Sequence, residues 1–225
     1  MLKYEWLSNL IEWIILFPKR LRARARSRSR YKARKEASAT IRSTLEQFTS
    51  FNANNHRTIF NVALYLILLD QDLADFTDDI INATGDRKRA FIAKHEAILL
   101  YEASEDITQL VGLKFREAIK ELSLSKEQML KLDAASSNLN EFWRTNREFL
   151  RNIRNVLAAH RDHNALQYVE MLEQLQPLKV MHLAADLSDC INPLVSVLTD
   201  IALASSTPKS ILEDWLTSSK KKRAP

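Results

Sequence analysis

The segment Arg154-Asn155-Val156-Leu157-Ala158-Ala159-His160 holds the residues of this chain whose types and spacing best suit a chemical task. A guanidinium grips a phosphate through two parallel hydrogen bonds. An imidazole takes and gives a proton near neutral pH. RNA cleavage by attack of a 2′-hydroxyl asks for such parts: a base for the hydroxyl, a cation for the charged phosphorane and an acid for the leaving oxygen. That scheme needs no metal. Asp162 lies seven residues after Asn155, on the same helical face, and His163, three residues from His160, is a second candidate, either the acid or a bystander. Arg151-Asn152 repeats the Arg-Asn pair, but at a greater distance from His160.

These residues ride on a helix. Its apolar series is Leu139, Phe142, Phe149, Ile153 and Val156, and His160 is the next member. The spacing therefore turns His160 toward the core or a partner helix. Six residues separate Arg154 from His160, which leaves them about 120° apart on an α-helix. Arg154, Asn155 and His160 are expected along one inner edge, where a buried arginine needs a partner or an anionic ligand. The other reading is an inert one: a hydrogen-bonded core histidine beside a surface arginine with a buried stem.

With those residues in place, the stretch LRNIRNVLAAHRDHN resembles the signature of the HEPN superfamily. Its pattern is an Arg, then a polar residue, commonly Asn, then a His after a gap of four to six residues. The trailing Arg161-Asp162 is similar to the ending found in abortive-infection-type members. The resemblance implies an all-helical, usually dimeric protein, many of whose relatives are metal-independent ribonucleases used as toxins or in antiviral defence. By that resemblance His160 handles protons, Arg154 holds the scissile phosphate, Asn155 positions them, and two subunits share one cleft. It also implies RNA as substrate, a homodimer, and an antitoxin or other protein partner.

Composition sets the frame. Among 225 residues there are only Gly85 and Gly112 as glycines, five prolines, and helix formers in most windows, which points to an all-α protein. The single cysteine, Cys190, cannot form an internal disulfide and fits a reducing, cytoplasmic setting. His56, His95, His160, His163 and His182 are scattered, and no zinc spacing, HExxH or Gly-rich phosphate loop occurs, so no metal or nucleotide cofactor is expected.

Charge is segregated. Residues 1–36 carry eleven Lys/Arg against three Glu, and 220–223 read KKKR. The body, 37–219, holds 18 basic and 25 acidic residues. Basic ends on an acidic body suit a polyanion, either nucleic acid or an anionic membrane surface. Residues 2–17 are amphipathic, with Trp6 and Trp13, but shorter and more polar than the roughly 20 apolar residues of a membrane span. They suit docking on protein or lying in a membrane interface. The following run places Arg20, Arg22, Arg24, Arg26, Arg28 and Arg30 at alternate positions, either to bind RNA or anionic lipid or as a solvated linker. Peripheral membrane contact through 2–35 is thus an alternative address.

Helices are expected at 37–51, 56–83, 87–121, 126–160, 164–175, 178–205 and 209–219. Gly85 would cap the end of the second, Gly112 would loosen the third, Ser125 and Gln128 would form a capping box, and Pro193 would kink the sixth. Long helices with short joins describe an up-and-down bundle over 37–219, preceded by an amphipathic and basic extension (1–36) and followed by a basic tail (220–225). His56, His95 and His182 show no partners in the sequence. The competing function is a non-catalytic RNA- or protein-binding helical module.

Overall fold

The computed structural model describes residues 31–221, apart from 33, 34, 52, 123, 159–164 and 206. The chain is an all-α helical bundle. In order, α1 covers 35–50, α2 Asn54–Asn82, α3 Asp86–Leu110, α4 Leu113–Glu121 and α5 Lys126–Ile153. A π-helical turn, Arg154–Ala158, follows. Then come α6 (Ala165–Gln174), α7 (Pro177–Ser205) and α8 (Pro208–Lys221). The basic extension falls largely outside the described residues. At the C-terminal side α8 continues through Lys220 and Lys221.

Four long helices, α2, α3, α5 and α7, make the core. The apolar run of α2 sits centrally, as its sequence implies, against α3, α4, α7 and α8. Leu66 of α2, Leu100 of α3, Leu150 of α5 and Ile191, Leu194 and Leu198 of α7 are fully buried together. The inner face of α3 mixes small residues, Ala93, Ala97, Ala103 and Ser104, with Leu100, Tyr101 and Ile107. Phe91, an apolar residue in the first turns of this helix, is exposed. Among the described residues no helix is long and apolar enough to cross a membrane.

The breaks have local causes. Ser125 and Gln128 form the expected capping box: the Gln128 amide donates to Ser125 Oγ at 3.2 Å and the Ser125 amide to Gln128 Oε1 at 3.0 Å. Gly85 does not end α2. That helix closes at Ala83 with extended backbone, and Gly85, at φ 87°, is the residue from which α3 starts. Its role is the left-handed turn between two antiparallel helices. The expected 87–121 helix is two helices. Gly112 donates back to the Gln109 carbonyl at 3.1 Å, and a Cβ there would lie 2.7 Å from that oxygen, so only glycine tolerates the turn. Pro193 stays within α7 on its exposed face, where the carbonyl it frees can meet water.

One acid is buried without full compensation. Glu96, on the inner face of α3, accepts from the Thr77 hydroxyl of α2 at 2.9 Å, while its other oxygen has no partner. Burial pushes its carboxyl up to about 7, against a lowering by Thr77. An acid held above its unfolded value near 4.5 binds an extra proton in the folded state between those two values. Stability therefore falls as pH rises from about 4.5 to 7, then levels. Glu96→Gln should remove that slope, leaving stability near pH 4.5 unchanged and raising it at pH 8 by about 1–3 kcal/mol. Urea unfolding at the two pH values checks this.

Candidate functional site

The helix carrying the motif changes character where the motif begins. Regular α5 ends at Ile153, and Arg154–Ala158 form a π-turn instead of the expected continuation to His160. Ile153 is buried and Val156 packs half-buried on the core, so the inward stripe holds that far. A π-turn bonds i to i+5, so α-helical spacing does not carry through Arg154–Ala158. Single π-turns occur frequently at functional sites. This one touches α3, α5 and α6.

Arg154 and Asn155 are exposed, which corrects the inner-edge placement. The reason is steric: Ile153 and Val156 take the inward positions, and the polar pair turns outward between them. His160, Asp162 and His163 lie outside the described residues, as do Arg20, Arg22, Arg24, Arg26, Arg28 and Arg30.

What surrounds Arg154 is an array of rings and cations. Its guanidinium carbon stands 5.9 Å from the centre of the Tyr101 ring. Tyr101 meets Trp143 edge-on, ring centres 5.3 Å apart, and the Arg147 guanidinium covers Trp143 at 5.4 Å. Tyr101 is only 9 % exposed and donates its hydroxyl to Glu105 at 3.0 Å. Burial and Glu105 push that hydroxyl up; Arg147 and Arg154 pull the other way. Two exposed guanidinium groups thus lie within cation–π distance of two mutually packed aromatic rings. Nearby, Lys94 lies between Phe91 and Tyr168, linking α3 to α6.

A second polar centre, absent from the sequence reading, joins the ends of the chain. His56, fully buried, pairs through Nδ1 with Asp214 Oδ2 of α8 at 2.7 Å. The same carboxylate accepts the backbone amides of Asn55 and His56, each at 3.1 Å, and Asn55 Nδ2 at 2.8 Å. The residue before α2 is Ala53, which supplies no side-chain cap. Asp214 caps this helix from a distant part of the chain, with its charge at the positive end of the helix dipole. Burial raises the Asp214 carboxyl, but the hydrogen bonds from His56 and Asn55 more than offset that and hold it below its ordinary value. Phe48, Phe60 and Ile211 enclose the pair. No substrate reaches an imidazole so covered, so the centre holds α8 on α2. The sequence carried one signal for it: Asp214 falls between Ile211 and Trp215, inside the apolar arc of α8. Of the other histidines, His95 bonds to the Phe91 carbonyl one turn back, at 2.8 Å, and His182 is exposed.

A cavity beside Leu45, Arg57, Lys114 and Phe115 shares no residue with the motif. Among the described residues no His, Cys, Asp or Glu cluster could hold a metal ion. Compared with known proteins, the chain matches no family model, no curated protein and no solved structure.

Proposed function

We propose that this protein is a metal-independent endoribonuclease of the HEPN type, cleaving RNA by 2′-hydroxyl attack in a bacterial toxin or antiphage role. The observation that carries the reading is the Arg154-Asn155…His160 motif, supported by the exposure of Arg154 and Asn155 at a π-turn on a helical bundle. Arg154 binds the scissile phosphate, His160 moves the proton, and Asn155 orients them. Asp162 and His163 complete the candidate set. Two subunits form the working dimer, and an antitoxin or other protein partner restrains it.

A second reading also draws on a specific observation. An exposed Arg154 within cation–π distance of Tyr101 suits binding without turnover. One experiment separates the two. Purified protein is incubated with single-stranded RNA in EDTA and the ends of any product are mapped. Turnover with 2′,3′-cyclic phosphate ends supports the nuclease. Salt-sensitive binding with intact RNA supports the module. Peripheral contact through residues 2–35 is compatible with either, and loss of vesicle binding on deleting 1–36 tests it.

A further inference from the structure

The end of α5 and the first residue of the π-turn carry four arginines, Arg144, Arg147, Arg151 and Arg154, at steps of three, four and three. That spacing confines them to a sector of about 80° and a length of about 15 Å. All four are exposed. Arg144 is paired with Glu141 at 3.6 Å; Arg147, Arg151 and Arg154 make no ion pair with a described residue. Glu148 and Glu105 are the acids at the edges of the stripe, and Glu105 is engaged by Tyr101. Helix polarity alone explains cations in the final turn, but not Arg147 or Arg144 further back.

We propose that this stripe is the track that holds an RNA strand, leading it along α5 into the motif. The proposal rests on the nuclease reading for its endpoint and on the stripe itself for the binding. Charge complementarity selects the occupant. A second copy of the same stripe would oppose like charges, whereas a phosphate backbone neutralises them. The geometry adds single-strandedness. The guanidinium groups of Arg147 and Arg154 lie over the Trp143 and Tyr101 rings, and exposed arginines beside aromatic rings suit an unstacked base. One helix face of this length matches a few nucleotides of one strand. Arg144, Arg147 and Arg151 are therefore binding residues, outside the catalytic motif.

The test uses the full-length chain with Arg20, Arg22, Arg24, Arg26, Arg28 and Arg30 changed to Gln, so that the basic extension does not mask the stripe. Binding of a fluorescein-labelled twelve-nucleotide oligouridylate is followed by anisotropy across a salt series. Arg147→Ala with Arg151→Ala should weaken binding at least tenfold. It should also lower the slope of log affinity against log salt by about 1.4, two phosphate contacts at about 0.7 each. Arg147→Lys should restore the charge but not the stacked plane, and recover only part of the affinity. Circular dichroism confirms that each variant is folded. Affinity and slope unchanged in the double variant would overturn the proposal, as would absence of binding in the parent. Equal competition by duplex RNA overturns the single-strand assignment, and equal competition by polyglutamate overturns RNA in favour of an acidic protein. The two readings fail separately. If nothing is cleaved but the double variant loses binding, the track stands and the nuclease falls. If His160→Ala ends cleavage while Arg147→Ala/Arg151→Ala leaves binding and KM unchanged, the nuclease stands and the track falls.

Discussion

His160→Ala should lower the rate of RNA cleavage in EDTA by a factor of about a thousand or more, with unfolding temperature and helix content close to those of the parent. A positioned acid or base contributes about a hundredfold to ten-thousandfold. A histidine serving both steps sits toward the upper end. Arg154→Ala should cost about a hundredfold to a thousandfold, the range for removing one stabiliser of transition-state charge. Lysine at 154 should recover little, because a point charge replaces neither the bidentate grip nor the stacked plane. Stability separates loss of chemistry from loss of fold. Arg154 is exposed, and its contact with Tyr101 is worth about 0.5–1 kcal/mol, too little to unfold the domain. Single-turnover cleavage measured alongside thermal melts decides the matter. Wild-type rates in His160→Ala would remove the nuclease assignment and leave the binding module.

The array around Arg154 shows what a linear reading can and cannot reach. The helical class, the central place of α2, the capping box at Ser125 and the inward turn of Ile153 all follow from period and local chemistry, which residues near in sequence decide. Three features did not. The split at Val111-Gly112 depends on one glycine whose amide closes back on Gln109, and glycine inside a helical pattern is compatible with either outcome. The first buried positions of α3 are Ala93, Glu96 and Ala97, small or polar residues beside which Phe91 stands out as apolar although it is exposed. Arg154 was placed inward by extending an α-helical wheel past Ile153, where the backbone changes to a π-turn. The rings beneath Arg154 and Arg147 come from α3 and from the turn before, and a partner more than 50 residues away leaves no mark in the motif itself. The His56–Asp214 contact is the extreme case, with 158 residues between its members. Contacts of that kind are tertiary in origin, and a histidine without local partners is no guide to whether it has distant ones.

That long-range contact yields the largest expected effect on stability. Asp214→Ala removes the carboxylate that receives the His56 ring, two backbone amides and the Asn55 side chain. The His56 donors remain buried and those of Asn55 half-buried, and Ala53 offers no replacement cap. Stripping one partner from a buried, hydrogen-bonded centre costs about 3–5 kcal/mol. For a chain of this size that corresponds to about 10 °C in unfolding temperature. Asp214→Asn keeps the shape and one acceptor, but turns an amide N–H toward groups that themselves donate, so it should recover only a minor part. The pH dependence follows from the depressed carboxyl. A group whose folded value lies below its unfolded value, near 3.8, stabilises fully above that value and loses its contribution as pH falls through the folded one. The wild-type protein should therefore release α8 only in acid, below about pH 4, whereas Asp214→Ala should show α8 loosened at neutral pH. Hydrogen exchange reads this directly. In the variant, amides at the start of α2 and throughout α8 should exchange faster, while those of the α5–α7 core keep their protection. Uniform loss of protection across the bundle would instead mean that α8 is part of one cooperative unit, and unchanged protection would mean that the Asp214 carboxylate does not hold α8 in place.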